Sequence, residues 1–345
     1  MSPEQVFPFR SEEIPVLTWA LAQQTSWKTM YYLGLLYWNH SDIDKAREFF
    51  LRCGAMPDYA PFYLARYILF QRVKDAGPQL LADLKTAQGM GAAEWRTWHH
   101  LNNYYQDSRL SKEALENAGK AYKRFPGNPV IGMDYAKALL QSGNFKGALK
   151  MLDQIRILPQ EGAREGQDIY ELANLAGAVK MMEDKKYDKA LDYIEASRQW
   201  PEHLGAGKPY DPDTRLQDMI ASVCEAKLSG DDKARSYHRR IEEYSLDPER
   251  GQYSEPLSNY IGFMILKKYN NPALDELIGK WKASNDSIRN WNIGAGSSSV
   301  EFQWVLAKLS DDEKMTKELQ EKLLSDGRLN RLRLFLDVMR LREER

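Results

Sequence analysis

The sequence predicts an all-α fold: an α-α superhelix, a solenoid of about eight helical hairpins with a C-terminal capping helix. Three observations predict it. Val and Thr together make only 16 of 345 residues, too few for a sheet-rich protein of this size. Ala, Leu, Lys, Glu, Arg and Met dominate instead, and all favour helix. A pattern of small and large residues also recurs in phase along the chain, with no Pro-rich or Ser-rich linker to interrupt it. Residues 1–345 therefore read as one array.

In chain order, Ser11-Glu12-Glu13 opens a helix through Gln23 with apolar Val16, Leu17 and Leu21. The first clear repeat, 27–57, holds Leu33, Gly34, Tyr37, Ala46, Phe50, Cys53 and Pro57. Residues 59–88 form a degenerate pair, with Pro78 opening its second helix. The best copy, 95–126, holds Trp98, Leu101, Asn102, Tyr105, Ala114, Ala118, Ala121 and Pro126. A shift of 34 residues, from Ala114 to Ala148, meets the third copy at 129–159, with Tyr135, Ala136, Leu139, Leu152 and Ile155. The fourth, 171–201, holds Ala178, Met181, Ala190, Ile194, Ser197 and Pro201, and an inserted loop near Pro159–Gln167 separates it from the third. Looser pairs follow at 213–246, 256–283 and 299–325. Leu-rich, Arg-rich 328–342 reads as an amphipathic cap. Ser41-Asp42, Ser111, Asn144 and Gly230-Asp231-Asp232 each precede a second helix and offer start signals.

Small residues such as Gly34 and Ala148 let two helices approach, and large ones such as Phe50 and Trp98 fill the space between pairs. This arrangement resembles the tetratricopeptide repeat, a helix–turn–helix unit of about 34 residues. The resemblance implies a non-enzymatic scaffold that binds a protein or peptide partner through the concave groove lined by the first helices. The face opposite the core stripe offers Tyr31, Leu35 and Trp38 in one repeat, Arg96, His99 and Asn103 in the next clear one, then Lys137. Leu172, Leu175, Val179 and Met182 would make its far end apolar. Some members of the family clamp a peptide carboxylate with Lys, Asn and Arg. Here Asp134, Leu172 and Ala176 replace members of that set, so no such clamp is expected.

A second resemblance rests on the stretch Trp200-Pro-Glu-His-Leu-Gly-Ala-Gly-Lys-Pro-Tyr-Asp-Pro-Asp and on residues 53–66. Both are similar to the helical repeat tail of large bacterial proteins that carry an N-terminal β-rich domain of carbohydrate-related function. It implies an accessory tail packed on a β-rich domain in cis or in trans, with Trp200, His203 and Lys208 as loop contacts. A sugar-binding module is the third reading, on aromatic abundance: 9 Trp and 19 Tyr.

Other chemistry is not expected. Lys plus Arg is 48 against 49 Asp plus Glu, a balance unlike a nucleic-acid binder's basic surface. The longest apolar run, Tyr31–Trp38, is far below the ~20 residues of a membrane span. Gly205-Ala-Gly-Lys208 is followed by Pro209, which cannot hold magnesium through a hydroxyl as a phosphate loop requires. His99-His100 lacks a second ligand at metal spacing, and Cys53 and Cys224 stand far apart. No catalytic residue, metal or cofactor is predicted. No secretory signal pattern opens the chain, so a cytoplasmic location is expected, or a periplasmic one if the chain is a fragment.

Overall fold

The computed structural model describes residues 3–343 except 7, 74–75, 161–162, 249, 251–254, 290–295 and 326. Eighteen α-helices and no strand occur among the described residues, so the all-α expectation holds. The chain divides into two compact units, Met1–Asp134 and Tyr135–Arg345.

Unit 1 contains α1 (Glu13–Gln23), α2 (Trp27–Asn39), α3 (Ile43–Cys53), α4 (Ala60–Phe70), α5 (Gly77–Met90), α6 (Trp95–Asp107) and α7 (Ser111–Arg124). Here α2/α3, α4/α5 and α6/α7 pack as hairpins, and each hairpin touches the next. The division falls within α8 (Pro129–Gln141). Unit 2 continues with α9 (Phe145–Gln154), α10 (Glu165–Glu183), α11 (Tyr187–Ser197), α12 (Arg215–Leu228), α13 (Asp231–Leu246), α14 (Pro256–Lys268), α15 (Leu274–Arg289), α16 (Gly296–Leu309), α17 (Glu313–Leu324) and α18 (Arg331–Glu343).

The repeat shows most clearly in the turns. In six hairpins a residue with φ between 50° and 82° follows the first helix: Ser41, Arg109, Gly143, Lys185, Asn270 and Asp311. The next residue's N–H then bonds a carbonyl five positions back, as in Asp42 to Tyr37 (2.9 Å), Leu110 to Tyr105 (2.8 Å) and Lys186 to Met181 (2.8 Å). This left-handed closure satisfies the end of the first helix and reverses the chain in two residues. Asp42, Asn144 and Asp312 then cap the second helix by accepting from the N–H groups of Lys45, Gly147 and Met315. Ser111 does not cap as expected. It is the first residue of α7, and Leu110 precedes it with no side-chain bond. Nor do Ser11 and Glu12 cap α1; the Glu13 carboxylate turns back to accept from the N–H groups of Phe9 and Arg10.

Close approach depends on complementary sizes sixteen residues apart: Gly34 with Phe50, Ala136 with Leu152, Ala178 with Ile194, all buried. A Cβ at Gly34 would come within 2.8 Å of the Phe50 ring, so no larger residue fits there without moving Phe50. Unit 1's core is aromatic. Phe50 stacks on Phe62 at 5.3 Å, and Tyr31 meets both edge-on. Arg66 and Asp83 are buried beside it as a two-point ion pair at 2.8 and 2.6 Å, with Arg66 also donating to the Gly54 carbonyl at 2.6 Å.

The terminal helix covers more than the end of a stack. Residues of α18 pack on α10 and α12. Leu332, Leu334, Phe335 and Val338 are buried in one cluster with Leu175, Val179, Met182, Leu216 and Met219. At about 1.5–3 kcal/mol per large apolar side chain, that burial makes α18 an integral part of unit 2.

Candidate functional site

In unit 1 the first helices present a mixed surface. Tyr31, expected to face a partner, is buried among Phe50, Phe62 and Tyr59, and burial pushes its phenol pKa well above the usual value. This corrects its assignment as a contact residue: Phe50 of α3 and Tyr59 and Phe62 from the next hairpin close over it, so the buried arc of α2 is wider than one repeat face. Leu35 and Trp38 are half-buried, with Trp38 against the Phe50 edge. Arg96 is exposed; it pairs with Glu94 at 2.7 Å and lies over the Trp95 ring.

His99 and Asn103 sit one turn apart on α6, and the structure brings them to Asp134 on α8. Asn103 Nδ2 lies 3.0 Å from His99 Nε2, and His99 Nδ1 lies 2.8 Å from Asp134 Oδ2. An amide can only donate at that nitrogen, so Nε2 accepts and Nδ1 carries the proton toward the carboxylate. The nitrogen that would serve as a base is thus capped by Asn103. Neighbouring His100 is held neutral, its pKa pushed down to about 4 chiefly by burial, with the Arg96 cation adding to the effect. The arrangement fixes a polar ridge rather than a proton-transfer site. Lys137, in unit 2, pairs with Glu165.

Sequence reasoning placed a helix at α1 but did not read it as a contact surface. None of its residues is buried, and Phe9, Val16 and Trp19 are 61%, 63% and 66% exposed. Val16 and Trp19, three residues apart, share one side of the helix.

In unit 2 the expected apolar groove end is already covered. Leu175, Val179 and Met182 are buried, and Leu172 packs at the edge of the same cluster. At the start of α18, Arg331 donates to Glu171 at 3.0 and 3.1 Å and to Glu255 at 2.5 Å. Burial works against the cation, but these carboxylates hold its pKa above the ordinary value. Glu171 is raised by burial despite Arg331.

Next to this junction lies a cavity of about 470 Å³, within the range of small-molecule sites. The stretch Trp200–Asp213 supplies much of one wall through Trp200, Pro209, Asp211, Pro212 and Asp213; Gln217 of α12 and Tyr244 of α13 supply another. The stretch is held down by buried Leu204, Gly205 and Ala206, and the His203 carbonyl accepts from the Ile157 N–H at 2.9 Å. Trp200 and His203 are therefore half-buried, and only Lys208 of the three expected loop contacts is exposed. A Cβ at Gly205, whose φ is +75°, would lie 2.9 Å from the Ile157 side chain. The glycine serves this close turn; Pro209 and Tyr210 beyond Lys208 are exposed. Behind the wall, Arg215 forms a two-point pair with Asp213 (3.0 and 2.8 Å) and reaches Ser245 and Asn259. Burial raises the Asp213 pKa, yet the Arg215 bonds override it and leave the carboxyl below its usual value.

Residues 111–164 match the tetratricopeptide repeat family model. The match spans α7, α8, α9 and the loop after them. Curated proteins give no match. Among solved structures, the quorum sensor NprR of B. thuringiensis in its apo form aligns over 94% of this chain and 92% of its own, at 16% identity and TM-score 0.43. PilF of Pseudomonas aeruginosa aligns over 66% and 95%, at 15% identity and TM-score 0.36. The human IFIT1 dimer with PPP-AAAA aligns over 92% and 77%, at 15% identity and TM-score 0.32. Superpositions this loose carry no functional argument. Among the described residues no group of three potential metal ligands occurs, and no helix is long and apolar enough to cross a membrane.

Proposed function

We propose that the chain is a non-enzymatic helical-repeat scaffold that binds a protein or peptide partner, and that unit 1 carries the contact. The observation that supports this reading most is α1. A helix with no buried residue and with Val16 and Trp19 open on one side leaves apolar surface that a partner would cover. Leu35, Trp38, Arg96, His99 and Asn103 extend the contact within unit 1 with aromatic and polar groups. Unit 2 offers no equivalent open face on α10 and α12, because α18 lies there. The attached β-rich domain implied by the Trp200–Asp213 resemblance would have to meet that stretch at Lys208 and Tyr210, since Leu204–Ala206 are folded inward.

The test is affinity capture from source lysate with the wild-type chain, a Val16→Ser/Trp19→Ser variant and an Arg96→Glu/Asn103→Ala variant. A protein retained by wild type and lost with the α1 variant supports the reading. Retention of the same proteins by all three chains would overturn it.

A further inference from the structure

The cavity beside Trp200 has an unusual division of labour among its polar groups. Its charged groups are already paired. Arg331 holds Glu171 and Glu255, Arg250 holds Asp211 at 2.5 Å, Arg198 holds Asp218 at 2.9 Å, and Asp213 holds Arg215. Arg164 lies 3.7 Å from Asp168 and over the Trp200 ring. A charged ligand would have to break one of these pairs to gain its own, and would leave a buried carboxylate or guanidinium unmatched.

The uncommitted groups are neutral. Gln217 is only 4% exposed and lines the cavity, and its side chain makes no hydrogen bond to another described residue. The other buried polar side chains of α12 have found protein partners: Arg215, Asp218, Ser222 and Glu225. Trp200 and Tyr244, also lining the cavity, have guanidinium groups over their rings, but the indole N–H and the phenol hydroxyl make no hydrogen bond to another described residue. Together they present donors, an acceptor and aromatic carbon around one space.

We infer that this cavity is a binding site for an uncharged, hydroxyl-bearing ring compound, the chemistry of a neutral sugar, held by Gln217, Trp200 and Tyr244. Hydroxyls both donate and accept, so they match an amide and a phenol without disturbing the ion pairs. The C–H faces of the ring would suit the aromatic walls. The inference stands apart from the partner reading, which concerns unit 1.

The test is isothermal titration of the full chain with N-acetylglucosamine, methyl glucoside and cellobiose. Glucosamine, glucuronate and linear sorbitol are titrated in parallel. At least one neutral ring sugar should bind about tenfold or more tighter than the cationic, anionic and linear compounds. Gln217→Leu removes the unpaired amide at similar volume. It should weaken that sugar by at least about tenfold while leaving the unfolding midpoint nearly unchanged. No saturation by any neutral sugar up to about 10 mM would overturn the inference. So would equal binding of the charged or linear compounds, or undiminished binding by Gln217→Leu. The capture experiment on unit 1 is read separately, so one reading can fail while the other stands.

Discussion

Helices α6 and α12 occupy equivalent places, each the first helix of a hairpin, and they solve the polar problem differently. α6 keeps one side at the surface. It buries only Thr97, Leu101 and Asn102, and its Arg96, His99 and Asn103 pair locally on that side. α12 is enclosed by α11, α13, α14 and α18, and every residue from Arg215 to Glu225 is buried. Its charged groups must therefore be matched by protein: Arg215 by Asp213, Asp218 by Arg198 and Arg240, Glu225 by Lys233. An open face tolerates unmatched polar groups because water completes them; a covered one does not. The contrast traces to one element, α18, which covers α10 and α12 and has no counterpart over α6 within unit 1.

The largest effect is expected on that element. Phe335→Ala should destabilise the protein by about 3–5 kcal/mol, since a fully buried aromatic leaves a cavity. Trp19→Ala on open α1 should fall within about 0.5 kcal/mol of wild type. Urea unfolding of the two variants compares them directly, and a Phe335→Ala loss as small as that of Trp19→Ala would show that α18 is dispensable cover. Unit 1 has its own buried pair to set against those of α12. Asp83→Ala should cost about 3 kcal/mol by stranding Arg66, whereas Arg66→Met/Asp83→Leu together should restore most of the loss. If the double variant is no better than the single, the pair contributes more than the desolvation it incurs.

Much of the fold was legible in the residues. Gly34, Ala46, Phe50, Ala148 and Ile194 stand where small and large side chains must alternate, and the structure buries all five. The turns at Asp42 and Asn144 were legible because a capping side chain is a local signal. The site was less so. Leu175, Val179 and Met182 look the same whether they await a partner or lie under the chain's own terminus, and no spacing links them to Phe335, more than 150 residues on. Tyr31 was misplaced because the cover provided by Tyr59 and by Phe62 of α4 comes from the next hairpin, a tertiary contact. Gln217, Tyr244 and Arg331 converge from three helices with no common pattern, so only the odd composition of Trp200–Asp213 pointed toward the cavity.

A smaller effect separates the units by pH. His238 sits between Ser222 (3.1 Å) and the Tyr269 hydroxyl (2.8 Å), and burial, with nearby Lys268, Arg342 and Arg235, pushes its pKa down to about 4. Above about pH 6.5 neither the folded nor the unfolded chain protonates this ring. Below it the unfolded chain takes a proton that the folded one refuses. Stability should therefore fall as pH drops from about 6.5 to about 4, by up to about 1.4 kcal/mol per unit for this residue. His100 adds a like term in unit 1. The raised carboxylates Asp168 and Glu171 act in the opposite sense in unit 2. The difference between wild type and His238→Gln isolates the ring. It should shrink by about 2 kcal/mol between pH 7 and pH 5, and a constant difference would place the proton elsewhere.

The smallest effect is the most discriminating. Each unit holds a buried residue whose amide has no hydrogen-bond partner: Asn102 in α6, sealed in the open unit, and Gln217 in α12, at a cavity wall in the covered one. Asn102 stands at the small-residue place of its repeat, with Ala118 sixteen residues on where Gly34 is followed by Phe50. The size relation is reversed there, and the amide is sealed in rather than aimed at open space; both its polar atoms are inaccessible. Gln217 instead lines a cavity. Asn102→Leu should therefore gain up to about 1 kcal/mol from removing an unmatched buried group, whereas Gln217→Leu should leave stability within about 0.5 kcal/mol, as read from urea midpoints. Only Gln217→Leu should change what the protein binds. If Asn102→Leu destabilises as much as a cavity-forming substitution, the amide is held by packing that volume alone does not reproduce, and the reversed size relation with Ala118 is itself part of what positions α6.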